Sequence, residues 1–169
     1  MRKSVLIDAS SAILLFKTDW MEALLASYRV MTGPSAFREM TVKNYPGARA
    51  FARWRRENRL AIENPCPSGR GSGSLAPRLD PGERECIDLY HAGKAAFVII
   101  DDGPGAAFCR REAIPFVNAL LIPRLVGAGV GRSSVTAAMG KIYAHGRYAR
   151  WVLKHALSCA SEELAFFLP

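Results

Sequence analysis

Acidic residues are in short supply in this chain. Its 169 residues hold 23 Lys and Arg against 15 Asp and Glu, a formal charge of +8 with a sequence pI near 9.7. That balance excludes a self-solvating acidic chain and points to a polyanionic partner, nucleic acid or an anionic membrane face, against the plainer reading of a solvated basic surface. Cysteine is scarce too. Cys66, Cys86, Cys109 and Cys159 show no CxxC spacing and no His at zinc-ligand distance, which argues against a zinc module and predicts free thiols in a reducing compartment. No apolar run approaches the roughly 20 residues of a membrane-crossing helix; Phe97 to Ile100 stops at two acids. The apolar run after Met1-Arg-Lys-Ser is too short for a secretory signal core, so a cytoplasmic protein is the expectation. A Gly-rich phosphate loop is missing as well, because Gly69 to Gly73 precedes no strand–helix junction, and there is no internal repeat.

Hydrophobic residues make up 50% of the chain, enough for a sizeable core in one domain. Val98-Ile99-Ile100 reads as a strand buried on both faces, and it runs into Asp101-Asp102 and then a Gly-Pro-Gly turn, Gly103 to Gly105. Both acids therefore fall at a strand's C-terminal end, the edge where open parallel sheets bind ligands. Adjacent carboxylates repel and require a positive neighbour, from an Arg or Lys or from a divalent cation.

Along the chain, a strand Ser4 to Ile7 ends at Asp8, with Asp8 or Ser10 a good cap for the helix that follows. A helix over Trp20 to Tyr28 leads to a strand Arg29 to Thr32, and Pro34 opens a helix carrying Phe37, Arg38, Glu39 and Met40. Ala48 to Asn58 is a basic helix in which Phe51 and Trp54 read as core, and Leu60 to Ile62 is a third strand. The Pro/Gly/Ser-rich stretch Asn64 to Asp80 is a long loop within the domain. Asp80-Pro-Gly-Glu83 opens a helix to about His91; a helix Ala106 to Glu112 and a strand Ile114 to Val117 follow the Val98 strand. The order β-α-α-β-α-α-β-α-β-α-β calls for an α/β fold with a parallel sheet of about five strands covered by helices. Residues 1–120 form that domain, and 121–169 a helical extension packed on it, with helices expected over Ala119 to Val126, Ser133 to Tyr143 and Tyr148 to Ala160.

Four acids fall at strand ends or helix starts: Asp8, Glu39, Glu83 and Asp101. If the first and fourth strands are neighbours, Asp8 and Asp101 lie side by side, and the helices entering from Pro34 and Pro81 can bring Glu39 and Glu83 over them. With one or two Mg²⁺ or Mn²⁺ ions, such a cluster is a hard oxygen site able to activate water and hold a phosphodiester. Each acid has a plainer role, Asp8 as a helix cap and Glu83 as a first-turn acid in competition with Asp80 and Glu85.

The stretches Val5-Leu-Ile-Asp8-Ala-Ser10, Pro34-Ser-Ala-Phe-Arg-Glu39, Gly82-Glu-Arg-Glu-Cys-Ile87 and Ile100-Asp-Asp102 resemble those of a PIN domain, over roughly the first 120 residues. The Gly-Glu-x-Glu-x-Ile and Ile-Asp-Asp elements resemble the group usually described as predicted nucleic-acid-binding proteins. The resemblance implies a metal-dependent ribonuclease with Asp8, Glu39, Glu83 and Asp101 as its metal-binding quartet and Ser10 supporting an acid or a bound water; Asp102 is either a further ligand or the cap of the following helix. The resemblance also implies RNA as partner and, for a toxin of a toxin–antitoxin pair, a protein segment that blocks the pocket. The long loop before Glu83, Tyr90-His91 and the Gly-Pro-Gly after Asp102 depart from the pattern. Arg53, Arg56, Arg110 and Arg111 are candidates to guide a phosphate backbone, and the apolar faces of the extension could cover the sheet or join two copies. His91, His145 and His155 read as structural, and Gly146-Arg-Tyr148 as a helix start. The competing class is a nucleic-acid-binding or scaffold protein on the same fold without turnover. A receiver-like domain ranks last, since its acid pair would follow the first strand.

Overall fold

The computed structural model describes residues 2–65, 79–101, 103–127 and 131–169. Five short strands, β1 (Ser4–Ile7), β2 (Arg29–Thr32), β3 (Leu60–Ile62), β4 (Phe97–Ile99) and β5 (Phe116–Val117), form one sheet in the order β3-β2-β1-β4-β5. Every pairing is parallel, with Ile7 opposite Ile99 and Leu6 opposite Met31. The chain builds outward from β1 to β3, then returns to the other side of β1. The β1–β4 junction is thus the point where strand order reverses, and a crevice opens beyond the strand ends there.

Alternation along the strands explains why both faces must be covered. Val5, Ile7, Val30, Phe97 and Ile99 point into one apolar layer, and Leu6, Met31, Val98 and Ile100 into the other. The first layer is filled from α1 (Ala9–Lys17), α2 (Met21–Ser27), α3 (Pro34–Met40) and α4 (Ala48–Arg56), and the second from α5 (Pro81–His91) and α6 (Gly103–Arg111). Phe51 and Trp54 of α4 are buried against Phe16, so the aromatics of the basic helix belong to the core. Cys86 and Cys109 are buried and unpaired; burial pushes the Cys109 thiol up to about 12 and leaves it unreactive at neutral pH.

After β5 come a single 3-10 turn (Ala119–Leu121), α7 (Ile122–Val126), α8 (Arg132–His145), α9 (Arg150–Ser158) and α10 (Ser161–Leu164). Met139, Ile142, Ala156 and Leu164 enter the first apolar layer, so these helices add to the cover of one sheet face. Phe167 stands edge-on to Phe97, the Tyr28 hydroxyl donates to the Phe167 carbonyl, and Lys3 Nζ donates to the carbonyls of Phe166 and Leu168 at 2.7 Å.

Through β5 the order of strands and helices agrees with the expectation; beyond it the chain adds a short last helix, α10, where none is expected, and the other differences lie at element ends. Helix α6 starts at Gly103 instead of Ala106, because Pro104, whose ring fixes a helical φ and needs no N–H partner, fits a first turn. Helix α9 starts at Arg150 instead of Tyr148, leaving Tyr148 in the connector from α8. Residues 66–78 of the long loop, with Cys66, and Asp102 lie outside the described residues.

The loop between α3 and α4 depends on Gly47. It has φ +85°, and a Cβ there would meet ring carbons of Phe16 and Phe51 at 2.8 Å. Gly47→Ala should cost about 2 kcal/mol or more, through backbone strain plus the ring clash, whereas Gly93→Ala (φ +71°, nothing within 4 Å) should cost only the backbone part, about 1 kcal/mol. Urea unfolding of both variants measures this as a larger fall in midpoint for Gly47→Ala at unchanged slope.

Candidate functional site

Asp8 is placed by the junction of β1 and α1. Its backbone N–H continues the ladder to the Ile99 carbonyl at 3.2 Å, and its side chain caps α1 by accepting from the Ser11 N–H at 2.9 Å. Ser10 Oγ donates to the other carboxylate oxygen at 2.6 Å. Asp101 leaves β4 next door and accepts from the Ala119 N–H at 3.1 and 3.3 Å and from the Tyr148 hydroxyl. Burial pushes the Asp8 carboxyl up to about 7, and the Asp101 carboxylate adds to the rise. Asp101 is raised too, chiefly by burial, against the hydrogen bond from Tyr148 that favours its charged form. The Tyr148 phenol is held far above its usual range by burial and by Asp101.

The second pair of acids enters on α3 and α5. Glu83 is 2% exposed and forms a capping box with Asp80: the Glu83 N–H donates to Asp80 Oδ1 at 2.8 Å, and the Asp80 N–H to Glu83 Oε2 at 3.1 Å. A Cβ on Gly105 would collide with the Glu83 carboxylate, so glycine in the first turn of α6 makes room for it. Glu39 is exposed on α3, and its carboxyl is raised by partial burial and then by Asp80. Glu85 faces elsewhere, accepting from the Ser35 N–H at 2.7 Å and the Ser35 hydroxyl at 2.6 Å, which ties α5 to the start of α3.

Asp8, Glu39, Glu83 and Asp101 all line one cavity of about 420 Å³ beyond the β1–β4 junction, and Asp80 and Ser10 line it with them. They share a cavity without converging on one point: among the described residues no three His, Cys, Asp or Glu side chains are grouped closely enough to hold a metal ion. The donor chemistry still fits a hard cation. The donors are carboxylates, two of them, buried Asp8 and half-buried Asp101, are neighbours, and Mg²⁺ is commonly held by one or two carboxylates with water completing its shell. Arg110 and Arg111 close α6 and do not line this cavity; Arg53 and Arg56 lie on α4 and line a different recess.

The C-terminal part of the chain adds groups that sequence reasoning missed. His145, Gly146, Arg147 and Tyr148 from the α8–α9 connector line the acid cavity, as does Lys17 at the end of α1. Arg147 and Lys17 bring positive charge to an acidic wall. The local signal for Tyr148 is Gly146: a Cβ there would collide with the Tyr148 ring, so the glycine lets the ring fold back. That relation is visible only once the two residues are packed.

A fully parallel five-stranded α/β sheet, with carboxylates gathered where its strand order reverses, is an architecture of PIN type. The chain matches the family model DUF3368, described as a PIN domain, over residues 4–162, and it belongs to that family. PIN domains are in general nucleases that bind nucleic acid and use divalent metal ions. No curated protein and no solved structure matches the chain. Among the described residues no helix is long and apolar enough to cross a membrane.

The raised Asp8 carboxyl makes stability depend on pH. Its folded value of about 7 exceeds the ordinary 3.8, so the folded state holds the proton more tightly between those values and stability falls as pH rises through that window. In metal-free buffer Asp8→Asn should raise the melting temperature above pH 7 by at least about 3 °C and change it little near pH 4, since Asn caps a helix as well as Asp does. Tyr148→Phe should act oppositely and steepen the loss on raising pH, because it removes the donor that favours ionised Asp101. Thermal melts in EDTA from pH 4 to pH 8 check both.

Proposed function

We propose that this chain is a metal-dependent endoribonuclease, with Mg²⁺ or Mn²⁺ held in the acid cavity. The observation that carries the reading is the Asp8–Asp101 pair at the sheet's reversal point, Asp8 buried and Asp101 partly so, with both carboxyls above their ordinary range. Two neighbouring buried carboxylates are costly alone and are relieved by a divalent cation. Asp8 and Asp101 are the direct ligands in this reading, with Glu39 and Glu83 around them. When bound, the cation supplies charge that polarises a phosphodiester and makes water a better nucleophile.

The chain's own residues do the rest. Ser10 fixes the orientation of the Asp8 carboxylate, and the Ala119 N–H and Tyr148 hydroxyl fix that of Asp101. Lys17 and Arg147 meet the phosphate charges of a strand that enters the cavity. A toxin role fits the same site, a partner's segment acting by filling the cavity. The exposed Trp151 and Leu157 of α9 are where two copies would join.

A second reading, a binding protein without turnover, draws on the tie between Asp101 and Tyr148, which engages one ligand candidate with a protein group. Cleavage of mixed RNA with Mn²⁺ or Mg²⁺ separates the two. Wild type should cleave only with metal, and Asp8→Asn and Asp101→Asn should each lose at least about 100-fold, on the scale of other removed catalytic groups. Equal rates in all three proteins would overturn the nuclease reading; RNA binding by wild type without cleavage would establish the second. Added metal should also raise the melting temperature of wild type and not that of Asp101→Asn.

A further inference from the structure

A second recess, about 650 Å³, lies between α4 and the loop that precedes it, with Arg49, Arg53 and Arg56 along one wall and Phe16 and Tyr45 among its other lining groups. We propose that this recess binds a single-stranded nucleic acid, its backbone on the arginines and a base on Tyr45, and passes the strand to the acid cavity.

Four observations carry it. Tyr45 lines both this recess and the acid cavity, so the two adjoin at that side chain. Tyr45 is 47% exposed, whereas Phe51 and Trp54 of the same region are buried in the core. An exposed aromatic ring beside cationic groups is the combination on which single-stranded chains stack their bases.

The loop that presents Tyr45 is built from consecutive tight turns. The Tyr45 N–H donates to the Val42 carbonyl at 3.0 Å and the Ala48 N–H to the Tyr45 carbonyl at 3.1 Å, with Asn44 (φ 69°) and Gly47 (φ 85°) supplying the left-handed positions. The backbone that carries Tyr45 is therefore set before any ligand arrives.

The arginines recur at i, i+4 and i+7, one row of about 10 Å along a single helix face. Among the described residues Arg49 and Arg56 have no ion-pair partner, and Arg53 has only distant ones, Glu22 at 3.7 Å and Glu57 at 3.8 Å. Glu22 is engaged more closely by Arg59, outside the recess. The row thus keeps its charge for a ligand. A recess of this volume has room for a base.

The destination of the strand rests on the nuclease reading; its binding does not. The test is fluorescence anisotropy in EDTA with a labelled single-stranded RNA of about 12 nucleotides. Arg49→Ala/Arg56→Ala should raise Kd at least about tenfold and lower the slope of log affinity against log salt by about 1.4, the value for two lost phosphate contacts. Tyr45→Ala should raise Kd at least about fivefold, with Tyr45→Trp restoring it, a rescue that stacking predicts and loop collapse does not. Lys154→Ala, on α9 and outside both cavities, should change Kd less than about twofold.

Wild-type affinity in all variants would overturn the recess and leave the nuclease reading standing. Binding through the recess with no metal-dependent cleavage by wild type would support the recess and overturn the nuclease reading. Binding of wild type to phosphatidylserine vesicles in place of RNA, lost in the same variants, would also overturn the proposal.

Discussion

The cost of holding Asp8 and Asp101 side by side away from water is the constraint on which the arrangement of the site depends. Parallel pairing of β1 with β4 sets Ile7 opposite Ile99 and so delivers the two acids beyond the strand ends as neighbours. Burial alone would raise both carboxyls, and their proximity raises Asp8 further. Four hydrogen-bond donors around them answer that cost. The Ser10 hydroxyl and Ser11 N–H serve one acid, and the Ala119 N–H and Tyr148 hydroxyl the other. These donors offset only part of it, because the raised carboxyls persist after they are counted.

Elements far apart in the chain are enlisted to hold this pair. The 3-10 turn after β5 contributes a backbone donor, and the connector between α8 and α9 contributes a phenol. The C-terminal helices therefore do two jobs at once. Their apolar side chains complete one layer of the core, and their connector forms a wall of the acid cavity. A chain cut before α8 would lose both, which gives a physical reason for the family match to continue to residue 162. Charge is divided in space: the acids lie at the sheet's reversal point, while the row of arginines faces an adjoining recess at Tyr45.

Much of the fold was legible in local patterns. Val5-Leu-Ile, Val30-Met and Val98-Ile-Ile are too apolar to have a solvated face, so they require a sheet covered on both sides, and Pro34 and Pro81 marked helix starts correctly. Gly103-Pro-Gly105 was misread as a turn because glycine and proline signal a break, although both are tolerated in a first turn. The acids at the strand ends were legible individually. How they meet is a matter of packing: Glu83 is engaged in a capping box with Asp80, Glu39 stays exposed on α3, and all four acids line one cavity. Tyr148 and Arg147 gave no usable signal, since a Gly-Arg-Tyr step between helices reads as a helix start.

The sequence by itself determined the class: apolar periodicity and the β-α order admit a parallel α/β sheet, and an acid following each of two apolar strands marks the edge where chemistry would sit. Those are local properties, set by which side chains follow one another. Tertiary structure decided which acids become neighbours, how far burial raises them, and which aromatic stays in reach of solvent. Neighbourhood depends on strand order, and burial on how helices from residues 132 to 164 fold back across the sheet. Desolvation and Coulomb repulsion act through space, over distances that only the packed chain sets.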